Sequence, residues 1–439
     1  MKRALLLCLP LLAACPANDV IDGRIERRDA SASQAADASF ASMVVDPSGR
    51  WVASPSASEG LHRLALLDLT TRTFRSFDSA RNVRSVAFWE ASRGPGLDAL
   101  TMTTLGAQPT ASLVTVSLED GRTLLKHELG PVNDAPTRVL RVNDVLVVTT
   151  QYGLTAYDGV TGSVRGAFSA RPGMLLSVTP VPEAHRLVVI TNHGAVILRE
   201  EDASVACVAA PPFDDQQRYD RVVTTAVLGT RAFLGIPLPA SATHHAVIDV
   251  LTCRYEGAFQ GGPLPIAAKG VIGSILDKYA ASPDAPPLPE TVTKSAARYH
   301  LVITDTTQTY LPLDTTPSVL AVTPDGDRFV TIDDAGVRIV DVATREVRPV
   351  TIAKPTYLAT SADSRYLFLA SGAKSTTVDL AAGTLAPLDL AIAPGMRTIA
   401  AARFDGLVIE QEKGPLTLLE RTGGRVVVPR PQVTPDGPK

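Results

Sequence analysis

Aromatic residues are scarce in this 439-residue chain, 5% of the total, and Trp51 and Trp89 are its two tryptophans. So thin a supply excludes a sugar-binding platform built from several stacked indoles. Charge is modest as well: 20% of residues are charged and the formal net charge is −3. That leaves no basic stripe for nucleic acid and no electrostatic pull towards an anionic membrane surface. The apolar run at 4–14 is far short of the roughly 20 residues that a membrane-spanning helix needs. Short catalytic signatures are missing too. There is no Gly-x-Ser-x-Gly elbow for a serine hydrolase, no His-Glu-x-x-His zinc helix, and no Cys-x-x-Cys redox or zinc pair.

What is present starts at the first residue. Met1-Lys2-Arg3 is a basic n-region, and 4–14 is a short h-region that ends in Leu12-Ala13-Ala14-Cys15. That tetrapeptide resembles the bacterial lipobox. The resemblance implies a signal peptide over 1–14, cleavage before Cys15, and lipidation of the Cys15 sulfur and new amino terminus, an anchor of several chains and therefore a stable one. Pro16 in place of Asp favours the outer membrane under the enterobacterial sorting rule. Residues 16–39 include an Ala/Ser-rich stretch without period-2 alternation, so 15–39 reads as the lipidated Cys and a flexible tether. The tail 429–439 is Pro-rich and reads as a solvated, disordered end.

Between tether and tail the chain repeats itself. The clearest copy, 317–350, holds four short apolar runs separated by Thr323-Pro324-Asp325-Gly326, Asp333-Asp334-Ala335-Gly336 and Ala343-Thr344-Arg345. Each run is rich in β-branched residues and too short for a helix, so each reads as a strand bounded by a turn. Aligning on the second turn and third strand gives nine units, at 40–77, 84–128, 137–168, 176–210, 222–259, 265–313, 317–350, 355–388 and 396–428, with a period of about 43 residues. The second and sixth are irregular; if they are partly insertion, eight units remain, and seven is also allowed. A four-stranded antiparallel sheet this small buries neither face alone, so the units must stack on one another.

The repeat resembles the bacterial β-propellers of the WD40-like and YVTN families over 40–428. Their Trp-Asp and Gly-His markers are absent, but an Asp closes the third strand at Asp68, Asp158, Asp249, Asp341 and Asp379. The fold implied is all-β, a single propeller of four-stranded antiparallel blades. Two β-sandwiches or a β-helix are the rival architectures.

Several residue groups look like sites and fail on spacing. His244-His245 are neighbours on a strand and point to opposite faces, so they do not chelate together, and a rim position is expected for them. Asp325-Gly326-Asp327 and Asp333-Asp334 lack the spaced ligands of a calcium loop, and the repeated strand-three Asp reads as an acceptor for turn amides. Gly372-Ala373-Lys374-Ser375 lacks the rest of a phosphate loop and reads as a hairpin. First-strand stretches at 42–45, 319–322 and 356–359 carry no charge, which argues against a catalytic channel. No metal and no cofactor are expected.

With Cys8 removed and Cys15 acylated, Cys207 and Cys253 remain. They fall in a fourth strand and in the turn before the next unit's fourth strand, in a disulfide-permissive compartment. A bridge and two separate buried thiols both fit.

The functional signal lies in the loops. Those joining strands two to three, and strand four to the next blade, share one propeller face, and the longest excursions fall there: 54–62, 105–112, 211–221, 236–245 and 278–300. Phe213, Arg218 and Tyr219 are the expected partner-binding anchors, since aromatics and Arg dominate interface energetics. The expectation is a membrane-anchored scaffold of the bacterial cell envelope that binds another envelope or surface protein, without catalysis or nucleic acid. The alternatives are a lactonase-like or quinoprotein-like propeller enzyme and a glycan or small-ligand binder.

Overall fold

The computed structural model describes residues 43–429 apart from 47, 59–60, 82, 92–93, 104–109, 132–133, 135, 210–223, 238–242, 263, 282, 284, 372–373, 389–396, 402–403, 411–415 and 421–423. Cys15, the signal peptide and the tether lie outside the described residues, as does 430–439. Within them the chain forms nine four-stranded sheets. The blades occupy 44–81, 83–131, 138–169, 175–209, 224–260, 266–313, 319–351, 355–388 and 397–428, each a run of four consecutive antiparallel strands. Nine blades, and neither eight nor seven, is the outcome.

Buried side chains among the described residues form nine clusters, and each cluster spans two neighbouring blades. One joins the last blade to the first: Val408, Leu416, Leu418 and Val428 pack with Met43, Val52, Leu67 and Leu69. Nine interfaces between nine blades make a closed ring, the arrangement that leaves no sheet face unpaired. Because each blade is one continuous piece of chain, closure depends on this cluster and on an ion pair at the surface, Arg72 Nη2 to Glu420 Oε1 at 2.7 Å.

The middle strands explain the apolar runs in the sequence. Along Arg186–Thr191, Leu187 and Val189 pack towards blade 3 while Val188 and Ile190 pack towards blade 5. Along Arg328–Asp333, Phe329 packs towards blade 6, and Val330 and Ile332 towards blade 8. Successive side chains go to opposite faces, and both faces are covered, so the run is apolar throughout and does not alternate. Fourth strands line the perimeter and are wet on their outer side: Val164 is 61% exposed and Val208 68%.

Units two and six are complete blades, not insertions. The second strand of blade 2 is Gly94–Thr103, whose Gly-Pro-Gly start reads in sequence as a turn. Gly96 is there because Trp89 lies across it: a Cβ at Gly96 would sit 2.1 Å from the indole. In blade 6 the second strand, Val271–Asp277, carries Gly273, where a Cβ would sit 2.5 Å from the Phe329 ring of blade 7. Both glycines mark close approach of a large ring to backbone, the usual reason for glycine inside a strand.

Where they are described, three of the expected excursions run into strand. Trp51–Ser58 and Leu61–Asp68 pair along their whole length, so 54–58 and 61–62 belong to two paired strands. Thr110–Ser117, Arg231–Pro237 and Thr243–Asp249 likewise absorb parts of 105–112 and 236–245. Inner strands also carry more charge than the three uncharged stretches suggest: Arg84, Arg138 and Arg397 lie on the first strands of blades 2, 3 and 9.

Candidate docking face over blades five and six

Among the described residues, the excursion that stays a loop is the one between the second and third strands of blade 6; 211–221 lies outside them. Val271–Asp277 leads into a 3-10 turn, Lys278–Ala280, and one helical turn, Glu290–Thr293, precedes the return strand Tyr299–Thr304. Asp277 ties the two stems together. Its Oδ1 accepts the Tyr279 N–H at 3.1 Å, and its Oδ2 accepts Arg298 Nε and Nη2 at 2.9 and 2.7 Å. Lys278 donates its N–H to the Arg298 carbonyl at 3.0 Å and its Nζ to the Ser295 carbonyl at 2.5 Å. Ala285 and Val292 are buried beneath the loop. From blade 5, Gln260 Nε2 donates to the Pro286 carbonyl at 2.9 Å. The loop is therefore seated on two blades.

Its outer surface presents one aromatic ring between two cations. Tyr279 is 76% exposed, the highest value among the exposed large hydrophobic residues described. Lys278 Nζ lies 5.3 Å and Arg298 Cζ 5.9 Å from its ring centre, and Arg298 also lies 5.1 Å over Tyr299. Cations at these distances are held by the ring quadrupole, and the Asp277 hydrogen bonds raise the Arg298 pKa further above its ordinary value. Sequence reasoning placed this loop but not its anchors. The available signal was a basic-aromatic dipeptide at each stem, Lys278-Tyr279 and Arg298-Tyr299, brought together by the antiparallel pairing of Asp277 with Tyr299. Phe213, Arg218 and Tyr219 lie outside the described residues.

Beneath the loop lies a buried polar layer. His244 and His245, expected at the rim, are 1% and 0% exposed. They pair with Gln260 and Phe259 on the neighbouring strand and sit on opposite faces of the sheet. His245 Nε2 is 2.7 Å from the Gly262 carbonyl, and Ser274 Oγ accepts the Gly262 N–H at 3.2 Å. Burial pushes the His245 pKa down to about 4, against the pull of its Gly262 hydrogen bond. Burial and the nearby Lys278 charge also lower that of His300. Gln308 Nε2 donates to the Gln260 carbonyl at 2.7 Å and to Thr304 Oγ1 at 3.2 Å, and Tyr310 donates to Gln308 Oε1 at 2.8 Å. The His245 ring stays neutral near pH 7, and this layer supports the loop through Gln260. Among the described residues no three His, Cys, Asp or Glu side chains converge to hold a metal.

The repeated aspartates are turn acceptors. Asp158 Oδ1 accepts the Val160 and Thr161 N–H groups at 2.9 and 2.8 Å, and Asp249, Asp341 and Asp379 repeat the pattern on the residues two and three along. In the same turn, the fourth residue after the Asp takes a left-handed backbone: Gly162, Gly383, Arg72 and Arg345 at φ of 58 to 74°, and Cys253 at 61°. Cys253 thus occupies a position that favours glycine. It is joined to Cys207, on the fourth strand of blade 4, with Cα atoms 6.1 Å apart. A single covalent bridge, not two separate thiols, fastens blade 4 to blade 5 next to the loop-bearing sector.

No protein-family model matches the chain, and no curated protein matches it in sequence. Similar folds occur among solved structures. PorZ, an essential bacterial surface component of the type-IX secretion system of Porphyromonas gingivalis, is 14% identical, covering 70% of this chain and 39% of its own length, with a TM-score of 0.36. The C-terminal WD40 domain of Sif2 is 11% identical over 80% of this chain and 96% of that one, at a TM-score of 0.45. A eukaryotic initiation factor reaches a TM-score of 0.54 at 11% identity, over 80% of this chain and 88% of its own. The last of these likenesses bears on the fold alone.

Proposed function

We propose that this protein is a lipid-anchored scaffold of the bacterial cell envelope that holds another envelope or surface protein against the loop face over blades 4 to 6 and has no catalysis of its own. The observation that carries the proposal is Tyr279, exposed on a loop pinned to two blades and flanked by Lys278 and Arg298. Interface energy concentrates in aromatic and Arg residues held on rigid supports. Phe213, Arg218 and Tyr219 fall in the sequence between blades 4 and 5, outside the described residues, and are the further anchors of this reading. The anchor is Cys15, whose Leu12-Ala13-Ala14-Cys15 context and following Pro16 favour the outer membrane. The Cys207–Cys253 bridge supports export, since disulfides persist in oxidising compartments.

Two measurements test the parts separately. Mass spectrometry of the mature amino terminus reads the anchor: a lipidated Cys15 supports it, and an unmodified Cys15 or an uncleaved Met1 overturns it. A photo-crosslinking side chain at position 279, in the anchored protein in its native membranes, reads the docking face. The expected product is one adduct of defined mass that disappears in an Arg298→Ala background and is absent when the crosslinker sits at Val164, on the perimeter of blade 3. An adduct common to both positions, or none, overturns it.

A further inference from the structure

The opposite end of the same two blades holds a cleft. Its walls are Phe233 and Val247 on the middle strands of blade 5, Arg254, Tyr255, Glu256 and Phe259 on the outermost strand, Arg231 at the start of the second strand, and Asp305 with Thr306 in the last turn of blade 6. The volume is about 390 Å³, at the small end of the range for sites that enclose one small molecule. Among the described residues, the cluster between blades 5 and 6 has the fewest fully buried members of the nine. It holds Ala226, Phe233, Val247 and Ile272 as those members, and the first strand of blade 6 is only Ile266–Ala268. Arg231 and Arg254 each begin a strand whose far end meets the loop face, so the cleft opens on the side away from Tyr279.

Its chemistry is asymmetric. The floor is apolar and aromatic: Phe233 is buried, and its ring centre lies 6.5 Å from that of Phe259 at 37°. Both carboxylates of the rim are already answered. Glu256 Oε2 is 2.7 Å from Arg231 Nε, and Asp305 Oδ2 is 3.2 Å from Arg345 Nη2, with Asp305 Oδ1 also accepting the Thr307 N–H at 2.7 Å. The Arg254 side chain is exposed and makes no ion pair or hydrogen bond among the described residues. A guanidinium without a partner among the described residues, above an aromatic floor and with both lining carboxylates engaged, selects an anion with an apolar body. A guanidinium binds carboxylate through two parallel N–H donors, while an amine would find both lining carboxylates already engaged. We propose that this cleft binds a small aromatic monocarboxylate, its carboxylate on Arg254 and its ring against Phe233 and Phe259.

Phenylacetate is a suitable probe and phenylacetamide its neutral counterpart, with binding to the full-length protein read by calorimetry and ligand-observed NMR. Saturable binding of phenylacetate, at least tenfold weaker for phenylacetamide and at least tenfold weaker in Arg254→Gln, supports the proposal. Glu256→Gln releases Arg231 and is expected to tighten binding severalfold. Arg254 and Glu256 are exposed, so both variants should keep the parent melting temperature, and a melt of each confirms that any loss is local. Absence of saturable binding overturns the assignment. So does equal affinity for the amide, or an unchanged affinity in Arg254→Gln. None of these outcomes bears on the docking face, which lies at the other end of the blades.

Discussion

Arg141 of blade 3 closes over Asp98 of blade 2, with Nε 2.6 Å from Oδ2 and Nη2 3.2 Å from Oδ1, and both side chains are almost fully buried. Thr115 donates a third hydrogen bond to Asp98 Oδ1 at 2.6 Å, Arg141 also donates to the Gly159 carbonyl, and its guanidinium stacks 4.5 Å from the Trp89 ring. A charge pair so enclosed joins two blades only while both partners are present.

Arg141→Ala should therefore cost about 3–5 kcal/mol, because it strands a buried carboxylate. Replacing both partners together, Arg141→Leu with Asp98→Leu, should recover at least half of that loss. Urea unfolding of the two variants checks this. Equal loss in both would mean that the charges are irrelevant and only packing against Trp89 matters.

Removing the bridge with Cys207→Ala and Cys253→Ala should lower stability by about 2–4 kcal/mol, the range for a cross-link that closes a loop of this size. Cys253 sits at φ 61°. Glycine accepts that backbone without penalty, so Cys207→Ala with Cys253→Gly should be about 1 kcal/mol more stable than the double alanine variant. The comparison is made by chemical denaturation under non-reducing conditions.

Ring closure depends on side chains, since every blade is a single stretch of chain. Leu418 is fully buried in the cluster shared by blades 9 and 1. Leu418→Ala should cost about 2–5 kcal/mol. Hydrogen exchange should report the added opening first at Val52 and Leu67 of blade 1. Arg72→Ala, which removes the exposed pair with Glu420, should change stability by less than about 1 kcal/mol.

Acid should weaken the sector under the docking loop before the rest. The folded His245 pKa is held at about 4, below its ordinary 6.5, so the unfolded chain binds the extra proton as pH falls. Stability is complete above 6.5, declines between 6.5 and 4, and levels off below, by up to about 3 kcal/mol. His300 acts in the same direction. His245→Gln should flatten this part of the pH–stability curve. A slope unchanged in that variant would show that His245 does not carry it. The turn aspartates act lower. Asp158 has a depressed pKa chiefly from its Arg165 hydrogen bond, and Asp249, Asp341 and Asp379 chiefly from their turn amides, so their contribution is present above the ordinary carboxylate range and is lost below it.

Much of the architecture was legible because a blade is local. The four strands of 319–351 are joined by short turns, and Pro, Gly and Asp mark each reversal within a few residues of the strands they join. Where a strand breaks that grammar it goes unseen, as Gly94–Thr103 does, because its Gly96 answers a ring on the next strand and not a turn. Site residues were harder. His244 and His245 read as surface residues because nothing near them in sequence says that the Gly261-Gly262 backbone packs on the His245 ring. Tyr279 and Arg298 are 19 positions apart, and only the stem pairing makes them neighbours.

By itself, then, the sequence determined the strand and turn pattern, the antiparallel blade and the need for blades to stack, since each is set by residues within about ten positions of one another. Tertiary structure alone decided how many blades close the circle and that Cys207 meets Cys253. It also decided that Arg141 covers Asp98, and that a cleft remains between blades 5 and 6. Those contacts join residues tens to hundreds of positions apart, and they exist only once the fit of side chains between blades has set the spacing of the ring.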